Sequence, residues 1–311
     1  KSDIYKKYKN NSNNIVCMGD KNPNKIFYII KRTPGTGLFS NVLFVLNHLI
    51  KAKKLGYTPF VDMQNFHTIY NENLPVFNNE NAWEYYFENF SNYTLDEIYD
   101  SKKVIITSNE FEQTFEKDLI SKEIKDNFKK EIIVKNKYLK IVENIKKKNF
   151  LNKKILGVHF RGTSYKQSPG HPLPASKSQM ANFVAKLKKE NNYDKIFLVT
   201  EEENYKKFFK DKFNDDVFFL NSAFRSNKNN AFKIYPRYFH RFKLGREAII
   251  ETLLLSNADG FVYVTSNIAS AAITWNLNKY QKRYRINNGL NSNNIIISQF
   301  LWYLKKMLPS Y

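Results

Sequence analysis

Short apolar runs break repeatedly into glycine-bearing or polar turns and lead into helical repeats, and this alternation restricts the fold more than any other feature of the chain. The run KIFYIIK at 25–31 reads as a strand. After the turn TPGTG at 33–37, Val42, Leu46, Leu49 and Ile50 recur at helical spacing over 40–54, with Ser40 as expected N-cap and Gly56 as stop. Residues 57–62 form the next expected strand, so the chain opens on a βαβ unit, the seed of a doubly wound sheet. An aromatic stretch over 66–92 is less regular, with a short helix expected at 82–88. A strand at 103–107 and a helix at 137–148 close the first half, and 149–153 is the expected linker. The second half predicts strands at 154–160, 195–200, 217–220, 261–264 and 283–286. Helices are expected at 176–190, 202–213, 246–256, from 266, and at 295–307. The polar loop 221–230 is expected to be mobile. Two βα domains with a crevice between them are the economical architecture.

The 311 residues have room for two domains of about 100–200 residues each. An apolar share of 42%, with 26 Phe and 20 Tyr, argues against disorder. Fifty basic against 29 acidic residues give a net charge of +21, which favours nucleic acid, an anionic membrane face or a phosphorylated substrate. The lysines are spread along the chain with no single basic arm, so a solvated surface explains them better than dedicated nucleic-acid binding. Cys17 is the only cysteine, which leaves no disulfide framework and no cysteine metal site and fits a reducing compartment. No run of 18 apolar residues is present to span a bilayer. A cytoplasmic chain, peripheral at a membrane at most, is expected. The start at Lys1 leaves room for an upstream signal or anchor.

The strand at 154–160 ends abruptly in His159, Arg161, Gly162, Thr163 and Ser164. Strand carboxyl ends face ligands in open α/β sheets, and a guanidinium fork suits a diphosphate. A structural salt bridge at Arg161 is the alternative. The loop 35–41, with Gly37 and Asn41, lies between a strand and a helix N-terminus, where free N–H groups attract anions; a tight turn is its plainer explanation. Thr200, Glu201 and Glu202 sit at another strand end. Their carboxylates can accept from ribose hydroxyls or guanine N–H groups, or simply complement a helix dipole. Thr265, Ser266 and Asn267 repeat the arrangement, with Ser266 a ready N-cap. The convergence of three such ends in one domain favours a nucleotide pocket. The five histidines show no metal-ligand spacing, no D-x-D is present, and no G-x-S-x-G marks a serine hydrolase.

The segment GVHFRGT at 157–163 resembles the H-x-R-x-T-D-type motif of the GDP-fucose-dependent fucosyltransferase superfamily, which spans nodulation and α-1,6, α-1,2 and protein O-fucosyltransferases. GLFSN at 37–41 is similar to its N-terminal G-x-x-x-N loop, and VTEE at 199–202 to a block that usually reads Ala-Thr-Asp-Asp. Residues 247–256 with Asp259 and Thr265-Ser266-Asn267 are similar to its last donor-site block. The resemblance implies a GT-B α/β fold of two Rossmann-like domains facing across a cleft. It assigns 1–150 to the acceptor side and 151–311 to the nucleotide-sugar donor. It also implies an inverting, metal-independent transfer of fucose or a related sugar from a GDP-sugar to a glycan or lipid-linked glycan.

Carried onto this chain, the resemblance gives Arg161 the diphosphate and the departing charge, and His159 the nucleoside or β-phosphate. Thr163, with Gly162, would serve the phosphates, Glu202, or else Glu201, would read guanine with Thr200 in the same donor site, and Ser266 and Asn267 would cradle phosphate. Glu251 would brace the arginine or histidine, and Gly37 and Asn41 would reach the donor. Ser164 stands where the family commonly has aspartate, and the usual downstream glutamate is missing. His171 is the nearest titratable candidate for a general base. The competing expectations are a basic nucleic-acid-binding protein and a catalytically inactive, glycan-binding relative.

Overall fold

A computed structural model describes residues 14–110, 122–276 and 280–307 of the chain. Packing divides the chain into two units: Lys1–Asn136 with Tyr235–Arg246, and Lys137–Ile234 with Glu247–Tyr311. The division falls at residue 136 where the sequence suggested 150, because the helix there groups with the second unit. A further segment, 235–246, returns to the first.

The first unit holds β1 (Ile15–Val16), β2 (Phe27–Ile30), α1 (Leu38–Lys54), β3 (Thr58–Val61), α2 (Leu95–Tyr99), β4 (Val104–Ile106) and α3 (Lys122–Glu131). Its sheet runs β1-β4-β2-β3, with β2 parallel to both neighbours and β1 antiparallel at the edge. β2 is buried throughout, as a central parallel strand must be when both faces are covered. Phe27, Ile29, Phe60, Val104 and Ile106 form one core face with Phe66 and Ile98. α1 starts at Leu38 with Gly37 as its N-cap, so Ser40 lies inside the first turn and does not cap it. The reason is local: the Gly37 carbonyl already accepts from the Ser40 and Asn41 N–H groups.

Residues 82–86 form successive turns, where a helix was expected. Three Asn side chains explain this. Asn79, Asn81 and Asn89 all donate to the Glu84 carboxylate, and Asn81 Oδ1 also accepts from the Met63 N–H. Such local bonds compete with a helical ladder. Ala82, Trp83, Tyr85, Tyr86 and Phe87 are all buried, which a single apolar helix stripe could not achieve.

The second unit contains α4 (Asn136–Asn149, from its second residue on), β5 (Ile155–His159), α5 (Lys177–Glu190), β6 (Lys195–Val199), α6 (Glu203–Phe213), β7 (Val217–Phe218), the later part of α7 (His240–Leu255), β8 (Gly260–Tyr263), α8 (Asn267–Trp275), β9 (Lys282–Arg285) and α9 (Ile295–Met307). The sheet is parallel throughout, in the order β7-β6-β5-β8-β9. From the central β5 the chain moves out to β6 and β7, then resumes on the other side of β5 with β8 and β9. The carboxyl ends of β5 and β8 are therefore the switch point, where open α/β sheets take their ligands. Ser176 and Ser266 cap α5 and α8 through their hydroxyls, the latter as expected. α7 begins at His240, six residues before its expected start at 246, because its first turns pack on aromatic rings of the first unit's sequence. Phe242 stacks on Tyr86 with ring centres 5.8 Å apart, and a Cβ at Gly245 would lie 2.3 Å from the Tyr86 hydroxyl.

Candidate functional site

In the second unit, β5 runs buried to His159 and turns sharply at Arg161. Phe160 anchors the turn, stacked on Tyr205 at 3.9 Å between ring centres. Two adjacent carboxylates from the end of β6 hold residues 162–166 in place. Glu201 accepts from the Gly162 N–H at 2.9 Å and from the Thr163 hydroxyl at 2.8 Å. Glu202 accepts from the Thr163 N–H and from Lys166 Nζ, at 2.6 Å. A Cβ at Gly162 would lie 2.2 Å from Glu202 Oε1, so only glycine lets the backbone approach this closely. Thr163 has φ +30°, a left-handed conformation that costs a β-branched residue about 1–3 kcal/mol. Its two carboxylate contacts hold it there. Residues 163–166 then complete a turn of 3-10 helix.

Arg161 emerges from this frame. Its Nε lies 3.6 Å from Glu201 Oε1, and its guanidinium lies over the Tyr165 ring at 4.7 Å. About a quarter of each of the Arg161 and Glu201 side chains faces solvent (26% each), which leaves the pair accessible to a ligand. Glu202, by contrast, is buried. Burial alone would raise the Glu201 carboxyl, but Arg161 and the Gly162 N–H outweigh it and hold it below its ordinary value.

His159 points to β8's end, where its Nδ1 meets the Ser266 hydroxyl at 3.2 Å. The same hydroxyl accepts from the Ala269 N–H as the cap of α8. Burial pushes the His159 imidazole down to about 4, with Glu201 opposing and Arg161 adding to the shift, so the ring is neutral near pH 7. Asn267 is exposed at the first position of α8, and Thr200 is buried, its hydroxyl accepting from the Glu202 N–H at 3.3 Å. The structure thus brings Arg161, Gly162, Thr163, Glu201 and Glu202 into one cluster and joins His159 to Ser266 at the switch point. His171 is exposed, and its ring centre lies 5.1 Å from that of Tyr165, the ring under the Arg161 guanidinium. Its Nδ1 lies 3.0 Å from the Pro169 carbonyl, which can only accept, so in the neutral ring Nε2 carries the lone pair.

Glu251 has a different partner from the one expected. It forms a buried ion pair with Arg225, while its helical neighbour Glu247 accepts from the Phe224 N–H at 3.0 Å. Burial pushes the Glu251 carboxyl up to about 7 against the pull of Arg225. The 221–230 loop, expected to be mobile, is therefore tied down, and the Ser226 N–H adds a bond to the Glu201 carbonyl. Sequence reasoning missed Arg225, Tyr165 and Lys166. The glutamates at 247 and 251, one helical turn apart, were the available signal for a cation opposite them.

In the first unit, Gly37 is exposed, and Asn41 is buried with its amide closed onto Thr36 by bonds of 2.9 and 3.2 Å. Asn109, after β4, ties the loop at Thr33. This loop stands at the first sheet's own switch point, between the ends of β2 and β4. Among the described residues, no group of three or more His, Cys, Asp or Glu is placed to hold a metal ion.

No protein-family model matches the chain, and no curated protein matches it in sequence. Solved structures do match. The fucosyltransferase NodZ from Bradyrhizobium superposes with a TM-score of 0.56 at 15% identity, over 87% of this chain and 100% of that one. NodZ alpha-1,6-fucosyltransferase co-crystallized with GDP gives 0.52 at 16%, over 80% and 92%. POFUT1 in complex with GDP gives 0.55 at 11%, over 85% and 98%. The polypeptide therefore has the fold of these fucosyltransferase structures, the GT-B architecture of two Rossmann-like α/β domains.

Proposed function

We propose that the protein is an inverting glycosyltransferase that moves fucose, or a closely related sugar, from its GDP conjugate to a glycan or lipid-linked glycan acceptor. The observation that carries this reading is the accessible guanidinium of Arg161 at the carboxyl end of the central strand, beside the His159–Ser266 pair at the switch point. The fold shared with fucosyltransferases crystallised with GDP supports it.

In this reading the second unit binds the donor and the first takes the acceptor. Arg161 grips the diphosphate. The acceptor oxygen bonds to the sugar's anomeric carbon from the face opposite GDP as the bond from that carbon to the β-phosphate oxygen breaks. The electron pair leaves with GDP, and Arg161 stabilises the charge that develops, a role a metal ion fills in other enzymes. The N-terminal turn of α8, with Ser266 and Asn267, favours phosphate through its N–H groups and dipole. Glu201 is the carboxylate open to guanine. Glu202, with its oxygens on Thr163 and Lys166, holds the loop that aims the arginine, and Thr163 presents the loop backbone to phosphate. Neutral His159 gives a hydrogen bond without adding charge. Glu251 fixes Arg225 and the loop behind Glu201, and His171 Nε2 is the candidate acceptor for the hydroxyl proton.

GDP should raise the melting temperature in the presence of a chelator, while UDP and CMP should not. Arg161→Ala should slow sugar transfer by about 10²–10³-fold while melting near the wild-type temperature, since the side chain is partly exposed. Stabilisation by UDP but not GDP, or full turnover by Arg161→Ala, overturns the reading.

A further inference from the structure

α9, IIISQFLWYLKKM, carries large apolar residues on its outward as well as its inward side. Ser298 and Trp302 are buried on its inner side, and on the opposite side Ile296, Phe300, Tyr303 and Met307 are 74%, 59%, 51% and 81% exposed. Their spacing of four, three and four residues aligns them in one stripe. Ile295 and Leu304 widen it at 58% and 43% exposure. Water-facing apolar patches of this continuity mark interaction surfaces.

Charge identifies the occupant. From residue 260 to 311 the chain carries six lysines and arginines and no Asp or Glu. The edge strand β9, which leads towards this helix, exposes Lys282, Arg283 and Arg285. A second copy docking on the same face would oppose two basic regions, whereas an anionic lipid surface complements them. The helix has 13 residues, about 20 Å of rise, which is too short to span a bilayer and suited to lying in its interface.

We infer that α9 seats the protein on an anionic membrane, with its apolar stripe in the headgroup region and the basic chain around it on the lipid phosphates. The helix is bonded to the Arg161 loop: the Ser298 hydroxyl donates to the Gln167 carbonyl at 2.8 Å, and Lys166 lies over the Trp302 ring at 5.5 Å. Seating α9 therefore brings that loop close to the lipid surface. The inference stands independently of the donor-site reading.

Flotation of the full chain with two kinds of vesicle tests it, one of phosphatidylcholine alone and one of equal parts phosphatidylcholine and phosphatidylglycerol. The expected result is binding to the anionic vesicles, weakened about tenfold or more by omitting phosphatidylglycerol and, separately, by the double variant Ile296→Ser, Phe300→Ser. Those positions are exposed, so the variant should melt like the wild type; Tyr303→Ser with Met307→Ser is the second pair if it does not. Failure to bind anionic vesicles, equal binding to both vesicle types, or undiminished binding by the folded variants overturns the proposal. So does a wild-type dimer, seen by sedimentation velocity, that the variants split and that binds no vesicles.

Discussion

His159 and Arg161 are two residues apart and have opposite electrostatic fates. The imidazole is fully enclosed beside Ser266 and stays neutral, while the guanidinium keeps its charge at a partly open site. The enclosed ring should leave a mark on stability. The unfolded chain takes up a proton at His159 near pH ~6.5, whereas the folded protein does so only near 4, so acid favours unfolding between those values. The contribution is present above pH ~6.5 and is lost as pH falls to about 4, by up to about 3 kcal/mol. His159→Asn removes this linkage. Its deficit against the wild type in urea midpoint should therefore shrink on acidification through that window, and a deficit that stays constant would show that the ring is not held neutral by burial.

The decisive element is the turn after β5, held by the paired carboxylates that come after β6. Gly162→Ala should displace it, since the new Cβ would meet Glu202 Oε1 at 2.2 Å and Tyr205 Cε2 at 2.8 Å, both on largely buried side chains. The expected outcome is a loss of about 1–3 kcal/mol in stability, with GDP-induced stabilisation abolished, measured by thermal shift. Retained GDP stabilisation would mean the turn does not aim Arg161. Most strands and helices were legible in the sequence, and 295–307 was read to the residue. The failures have specific causes. The 82–88 segment lost its helix to Asn side chains that bond the backbone and Glu84. α2 is five residues long, too short for a periodicity to register. α7 starts early because its polar-looking first turns pack on Tyr86, a partner 156 residues away from Phe242 in sequence.

At the scale of the whole molecule, the chain leaves its first unit at residue 136 and returns to it for 235–246. The return is well packed. Phe242 is buried against Tyr85 and Tyr86, its N–H donates to Glu72 at 2.8 Å, and its carbonyl accepts from the Tyr86 hydroxyl at 3.0 Å. Phe242→Ala should therefore destabilise the protein by about 3–5 kcal/mol in urea unfolding, like other large-to-small core changes. A loss below about 1 kcal/mol, within the range of surface substitutions, would show that the segment is not part of that core.

The order of most strands and helices, the α/β class and the cluster of polar residues at strand ends were present in the one-dimensional pattern, because apolar periodicity and turn chemistry are local. The pairing of partners was not. That Glu201 and Glu202 hold the loop of Arg161, that Glu251 takes Arg225, and that Ile296, Phe300 and Met307 of α9 face outward depend on which residues distant in sequence meet in space. Only the folded chain, which brings those charges and faces together or leaves them apart, decided them.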